Sequence, residues 1–437
     1  MFTLQNPRLA DLVRDSYTLD DLRRLTQFLR EAGTFHFPAL PSGLYPAAHV
    51  SADHSSGYAS VWIRDNAHVA QSLFDDGQTE AAARAVVGMA RFLATQRPKI
   101  AEVLAGRADH ADPMNRPHIR FDGHTVAEID VKWSHAQNDA LGYFVWVASR
   151  LIAAGALEPT DELGEVLAGV VLFLEKIEFW NDEDSGHWEE TRKRNASSIG
   201  AATAGMIALR NICGREDLRE RLKFGDVLVA AERLDQLIAA GRASLAEHLP
   251  HECCDEDPLK RREADGALVF LIFPLEIVDE NQTASIIESV VRDLQGDIGI
   301  RRYRGDSYWC ANYKAMVTAE KRSADFSDDL TGRDSLLRAG EEAQWCIFDP
   351  ALSSAFGRQY QRTGDPTALA KQTLYLNRSL AHLTADDSPF GPLRCPESYY
   401  LENGRYVPVD QTPLLWTQGN LLTALRMLER SLLPKLA

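Results

Sequence analysis

Five short segments gather side chains that can do chemistry: Val61-Trp62-Ile63-Arg64-Asp65-Asn66, Trp133-Ser134-His135-Ala136-Gln137-Asn138-Asp139, Trp188-Glu189-Glu190 with Asn195-Ala196-Ser197-Ser198 behind it, Arg302 to Trp309, and Pro396-Glu397-Ser398-Tyr399-Tyr400 with Pro413 to Gln418. Tryptophan beside Asp, Arg and Gln suits a sugar. The indole face covers the apolar C–H face of a pyranose, and forked polar groups take its hydroxyls. Cleaving a glycosidic bond then needs two carboxyls flanking that bond, one protonated and one ionised. Taken singly, each segment also has a structural reading. Trp62 fits a core position, Arg64 and Asp65 an ion pair at a helix start, and Glu189 and Glu190 the acidic first turn of a helix.

The elements that must position these residues read as helices. After Asp161 and Glu162, apolar residues fall at Leu163, Val166, Leu167, Val170, Val171 and Leu174, one broad helical face. Leu421, Leu425, Leu428 and Leu432 repeat at steps of four, three and four. Similar stretches run over 19–31, 65–75, 79–95, 136–154, 198–211, 225–247, 282–294, 330–346 and 365–383. Strand alternation is scarce. The apolar run from Ala267 to Phe273, stopped by Pro274, fits either a short strand or a buried helical turn. Pro and Gly cluster between helices, over 37–57, 98–123, 180–186 and 387–413. The fold class is therefore all-α, with the whole of residues 1–437 read as one domain of paired helices whose loops at one end build a site.

Composition narrows the partners. The 437 residues carry 47 basic and 63 acidic side chains, a net charge of −16. That balance disfavours nucleic acid and anionic membrane surfaces, which need a cationic face. No apolar run is long enough to span a bilayer, and the charged N-terminus does not read as a signal peptide. The six scattered cysteines fit free thiols in a reducing compartment, so a cytoplasmic location is expected. The stretch His251 to Asp257 lacks metal-ligand spacing and reads as a solvated acidic loop. No metal or cofactor is expected.

The five segments, in this order, resemble glycoside hydrolase family 15, the glucoamylase group, from about Gly57 to about Leu432. Pro396-Glu397, Glu342 to Trp345 and Pro413 to Gln418 look most like the branch holding the glucoamylase-like domain of phosphorylase kinase regulatory subunits. The resemblance implies an (α/α)6 barrel, six inner helices within six outer ones. It implies that Arg64 and Asp65 grip a terminal glucose with Trp62 beside them, that Trp133 stacks near the scissile bond, and that Gln137 and Asp139 bind substrate with it. It implies Glu189 as general acid beside Trp188, Glu190 as a substrate-holding neighbour, Arg302 and Asp306 as ligands of sugar hydroxyls, and Glu397 as catalytic base.

The expected reaction is exo-acting, inverting hydrolysis of short α-glucosides or α-glucan ends. The two carboxyls should then stand about 6.5–9.5 Å apart to admit a water. Two alternatives belong beside it. One is an idle glucan-binding or regulatory domain, though such a copy tends to lose an acid or a sugar clamp, and all are present here. The other is a helical-toroid lyase or epimerase working through His124, His135 or His187, of which His135, between Trp133 and Gln137, is the most suggestive.

Overall fold

The computed structural model describes residues 2–48 and 57–433. Residues 49–56, within the loop expected over 37–57, lie outside them. Twelve helices form two layers: α1 (Leu19–Glu31), α2 (Ile63–Asp75), α3 (Thr79–Thr95), α4 (Asn138–Ala153), α5 (Asp161–Lys176), α6 (Ala196–Arg210), α7 (Ala231–His248), α8 (Val269–Ile272), α9 (Glu280–Asp293), α10 (Phe348–Thr363), α11 (Pro366–Ala381) and α12 (Leu415–Leu432). Around the inner ring α2 packs on α4, α4 on α6, α6 on α8, α8 on α10, α10 on α12, and α12 back on α2. The ring is closed. Each remaining helix packs outside it: α3 on α2, α7 on α6, α9 on α8, α11 on α10 and α1 on α12, with α5 lying against α3 and α4. This is the (α/α)6 barrel.

The layers differ in pattern because they differ in surroundings. Outer helices such as α9 and α1 bury one stripe; α9 buries only Ile286 and Val290, α1 only Leu22, Leu25, Thr26 and Leu29. Inner helices are covered nearly all round, and α6 buries every residue from Ala196 to Met206. A helix hidden on all sides has no apolar stripe to read. What it needs is small residues. A Cβ on Gly142 of α4 would stand 2.5 Å from the Ala201 backbone of α6, and one on Gly205 would stand 2.7 Å from the Gly142 carbonyl oxygen.

One expectation needs correction, and one open reading is decided. The helix expected over 330–346 is a four-residue turn, Thr331–Asp334, followed by loop and strand. Its polar groups serve the loops instead: Glu342 accepts the Gly305 amide at 3.0 Å, and Arg333 turns inward. The neighbouring inner helix α10 shows no periodic stripe and carries Pro350, Ser353, Ser354 and Gly357, residues of poor helix propensity. Of the two readings open for the Ala267–Phe273 run, the buried helical one holds: a 3-10 turn at Gly266–Leu268 leads into α8.

Short strands tie the loops down. β1 (Val61–Trp62) pairs antiparallel with β2 (Arg120–Asp122), and β2 with β3 (Ala127–Glu128). A hairpin, β4 (Lys223–Phe224) and β5 (Val227–Leu228), sits on α5. β6 (Gln344–Trp345) pairs with β7 (Ser398–Glu402), which pairs with β8 (Arg405–Pro408). β1 runs directly into α2, and β6 and β7 bring the segments before α10 and α12 together. We predict that Gly142→Ala, which sets a methyl against backbone that cannot swing away, destabilises the protein by about 1–3 kcal/mol in chemical denaturation. A Gly→Ala change at exposed Gly214, which has no positive φ and meets nothing within 4 Å, is the contrast for packing alone.

Candidate active site

The N-terminal ends of the inner helices face one cavity of about 800 Å³, measured to its open mouth. The long inner helices α2, α4, α6, α10 and α12 lack a side-chain cap of their own. Distant acids cap two of them. Asp184 accepts the Asn138 amide of α4 at 2.9 Å, and Glu252 accepts the Ser197 amide of α6 at 3.1 Å and its hydroxyl at 2.5 Å. Glu252 is thus buried, a correction to the solvated acidic loop expected there; Cys254, Glu256 and Asp257 are exposed as expected.

Of the sequence-predicted residues, Trp62, Arg64, Asp65, Trp133, Trp188, Glu189, Arg302 and Glu397 line the cavity. Gln137, Asp139, Glu190 and Asp306 do not; they stand behind its wall and hold the residues that do. Asp139 accepts from Arg64 Nη1 at 2.6 Å and Gln137 accepts from the same nitrogen at 3.1 Å. Asp306 takes both forks of Arg302 at 2.6 Å. Asp139 and Asp306 are fully buried, and these four bear on the cavity through the arginines they hold.

Consecutive glutamates point opposite ways because the chain turns sharply between them. Glu189 holds a left-handed backbone, φ 58° and ψ 42°, uncommon for a residue with a Cβ. Its carboxylate enters the cavity, accepting from Arg64 Nη2 at 3.1 Å and from the Trp133 indole N–H at 2.8 Å. Burial pushes this carboxyl up, against the pull of Arg64 and Arg120. Glu190 turns away into a cationic cluster, accepting from Arg302 at 3.0 Å, Arg333 at 2.6 Å and the Tyr303 hydroxyl at 2.6 Å. Burial opposes its ionisation, but Arg302, Arg333 and Arg262 outweigh burial and hold it well below the carboxylate range.

Glu397 stands at the start of β7, its backbone pinned by Cys346 and Gln411. Its side chain is 2% exposed. The Tyr58 hydroxyl donates to Oε1 at 2.8 Å, and Oε2 has no protein partner. Burial pushes this carboxyl up to about 8, with Asp65 and Asp306 adding to the rise and Tyr58 and Arg302 opposing it. Burial likewise pushes Asp65 up to about 7. Glu189 and Glu397 share no hydrogen-bond partner.

Aromatic rings supply the walls. Trp62 and Trp133 meet edge to face at 6.2 Å, with the Arg120 guanidinium 3.9 Å over the Trp133 ring. Trp188 donates its indole N–H to Asp265 at 2.9 Å. Beneath the cavity His68 stacks on Trp416 at 4.5 Å and packs against Phe270 at 5.2 Å, plugging the barrel axis. Residues 323–326 complete the rim.

Sequence reasoning did not single out Tyr58, Tyr308, Arg120 and Arg333 as site residues. Tyr308 and Trp345 lay inside quoted segments; a lone Tyr58 or Arg120 carries no local signal. Of the histidines, His135 is buried and stacked on His118 at 3.7 Å, accepting the Ile119 amide, and burial pushes it down to about 2. His187 lines the cavity, hydrogen-bonded to Tyr143, and burial holds it near 4, hence neutral. His124 is exposed at the β2–β3 turn. This distribution does not supply the histidine pair that an epimerase would use. Among the described residues no group of His, Cys, Asp and Glu has metal-binding geometry, and no helix is long and apolar enough to cross a membrane.

The family model for Glycosyl hydrolases family 15 matches residues 25–343. The chain belongs to this family. Solved structures similar to this family 15 chain include a wild-type glycosidase, with TM-score 0.66 and 20% identity over 96% of this chain and 100% of that one. A glycosidase variant in complex with glucose gives TM-score 0.67 and 19% identity over the same shares. The glucoamylase from Saccharomycopsis fibuligera gives 0.61 and 14%, covering 96% and 97%. Among curated proteins, the chain is 25% identical over 419 residues to the probable phosphorylase b kinase regulatory subunit alpha of Caenorhabditis elegans, covering 86% of this chain and 31% of that one. The chain thus spans less than a third of that relative. It is 27% identical over 203 residues to the uncharacterized lipoprotein YgeQ of Escherichia coli K12, covering 42% of this chain and 77% of that one.

The Glu190 cluster makes a prediction about stability. A carboxyl held below its unfolded pKa stabilises the fold above that unfolded value, and the contribution is lost as pH falls through the folded one. Glu190→Gln leaves the buried Arg333 guanidinium without a carboxylate and should cost about 3–5 kcal/mol near neutral pH. The gap to wild type should narrow as pH drops below about 4, the unfolded glutamate range. Denaturant unfolding at several pH values measures both.

Proposed function

We propose that the protein is an exo-acting, inverting α-glucoside hydrolase that removes glucose from the non-reducing end of short substrates. The observation that carries this reading is the pair of carboxyls, Glu189 and Glu397, set into one blind aromatic cavity with separate partners. The cavity floor is closed by the His68, Trp416 and Phe270 rings, so a chain end can enter but a chain cannot thread through. Arg64 and Asp65 at the floor meet the terminal sugar's hydroxyls, and Arg302 bounds one side.

Glu189 donates its proton to the leaving oxygen; burial keeps it protonated more than a free glutamate. Glu397 offers Oε2, the oxygen without a protein partner, to a water on the other face of the sugar. Burial pushes Glu397 itself up to about 8, so its partners have to favour the ionised form that a base needs. The Tyr58 hydrogen bond favours its ionised form, as does the positive charge that grows on the sugar ring in the transition state.

A second reading has one observation behind it, the likeness over 86% of the chain to a kinase regulatory subunit. There the pocket would hold a glucan end as a signal and turn nothing over. Retention of both carboxyls and of the Arg64 and Asp65 clamp favours the enzyme.

Roles are separated by leaving group. An activated substrate such as α-glucosyl fluoride needs no proton from the acid. Glu189→Gln should lose about 10²–10⁴-fold on maltose yet keep most of its rate on the fluoride, while Glu397→Gln loses both. The opposite split would exchange the two roles. Wild-type inertness toward maltose, isomaltose, trehalose, malto-oligosaccharides and the fluoride, with maltose still bound in calorimetry, would establish the regulatory reading.

A further inference from the structure

The barrel has a second opening. At the end opposite the active site lies a basin of about 1210 Å³, measured to its mouth. The helices themselves show that it is separate: α2 gives Arg64 and Asp65 to the catalytic cavity and Gln71 and Asp75 to the basin. On α12 the corresponding residues are Trp416 and Arg430, about 21 Å apart along the helix at 1.5 Å per residue. The plug of His68, Phe270 and Trp416 closes the axis between them.

Four arginines line this basin: Arg150, Arg242, Arg358 and Arg430. Its two acids are already engaged. Glu276 takes both forks of Arg358 at 2.9 Å, and Asp75 lies 3.5 Å from Arg430 and accepts from Gln71 at 2.9 Å. Among the described residues, Arg150 and Arg242 make no ion pair or side-chain hydrogen bond. Arg150 lies 4.9 Å over the Trp146 ring, and the charged groups acting on it are Asp75, Glu276, Arg358 and Arg430. Attraction to the helix C-terminus accounts for Arg150 and Arg430, which stand in or near last turns. It does not account for Arg242 and Arg358, which lie in helix interiors. Beside them, Ser149 Oγ and Gln71 Oε1 are buried and have no partner. On a protein of net charge −16, this is a cationic recess with free donors and one free amide acceptor.

We propose that the basin binds the phosphate group of a small ligand, with Arg150 and Arg242 on the phosphate. Two guanidinium groups without carboxylate partners are the chemistry that recognises a phosphate dianion. The volume exceeds what inorganic phosphate fills, and the Gln71 acceptor and Ser149 hydroxyl suit ring hydroxyls, so the ligand class is a sugar phosphate. The proposal does not depend on the catalytic reading of the other end.

Titration calorimetry with glucose 6-phosphate, inorganic phosphate and glucose tests it on the intact chain. The expected result is saturable binding of glucose 6-phosphate, weakened about tenfold in Arg242→Ala and in Arg150→Gln and unchanged in Glu397→Gln. Arg242 is exposed on an outer helix, so its variant reports binding without risk to the core. Equal affinity for inorganic phosphate would support the anion site and assign it to free phosphate. The proposal is overturned by no binding of either anion up to about 10 mM, by affinities that ignore both arginine variants, or by competition from neutral glucose.

Discussion

A guanidinium buried at the floor of the cavity, that of Arg64, has to be neutralised, and the way this is done fixes most of the site. A charge this deep is tolerable only with close, hydrogen-bonded partners. Asp139 supplies one from the start of α4, Gln137 adds an acceptor, and Glu189 supplies the second charge from the loop before α6. Three successive inner-helix starts are thereby held to one point. The same contact that keeps Arg64 charged fixes the direction of the Glu189 carboxylate. The left-handed turn at Glu189 follows from it, since only that turn sends Glu189 forward to Arg64 and Glu190 back to Arg302 and Arg333.

Two carboxyls of one chemical type are made different by their surroundings. Glu189 hydrogen-bonds a cation and an indole donor, while Glu397 hydrogen-bonds one phenol and feels Arg302, Asp65 and Asp306 only at longer range. Both are raised by burial, and the cations act more on the first. The (α/α)6 frame suits this task, because helix starts around a closed ring bring side chains to a common centre from many directions. The plugged axis keeps that centre blind at one end, and leaves the other end free to form a separate basin.

Much of this was legible in the sequence, for identifiable reasons. Outer helices such as α1 and α3 showed themselves through the apolar face each buries, and both fall within the expected bounds. The aromatic and acidic segments at the inner-helix starts marked the cavity before any geometry was known. Helix α10 was not legible, since a helix buried on all sides by small residues has no stripe, and Pro350 and Gly357 argue locally against it. Nor was the division of labour among the acids. Whether Asp139, Glu190 and Asp306 touch a sugar or hold an arginine depends on which side of the wall they stand, and spacing carries no such information. Distant capping of α4 by Asp184 and of α6 by Glu252 is invisible to any local rule for the same reason.

The central claim is that two carboxyls in separate settings flank one bond, with a water between Glu397 and the sugar. Proton NMR of the first glucose released from maltose tests it most directly, because the anomer formed records the face attacked. The account predicts β-glucose first, with the α anomer arising only by mutarotation. Initial α-glucose would mean a covalent or double-displacement route, and would contradict the role assigned to Glu397.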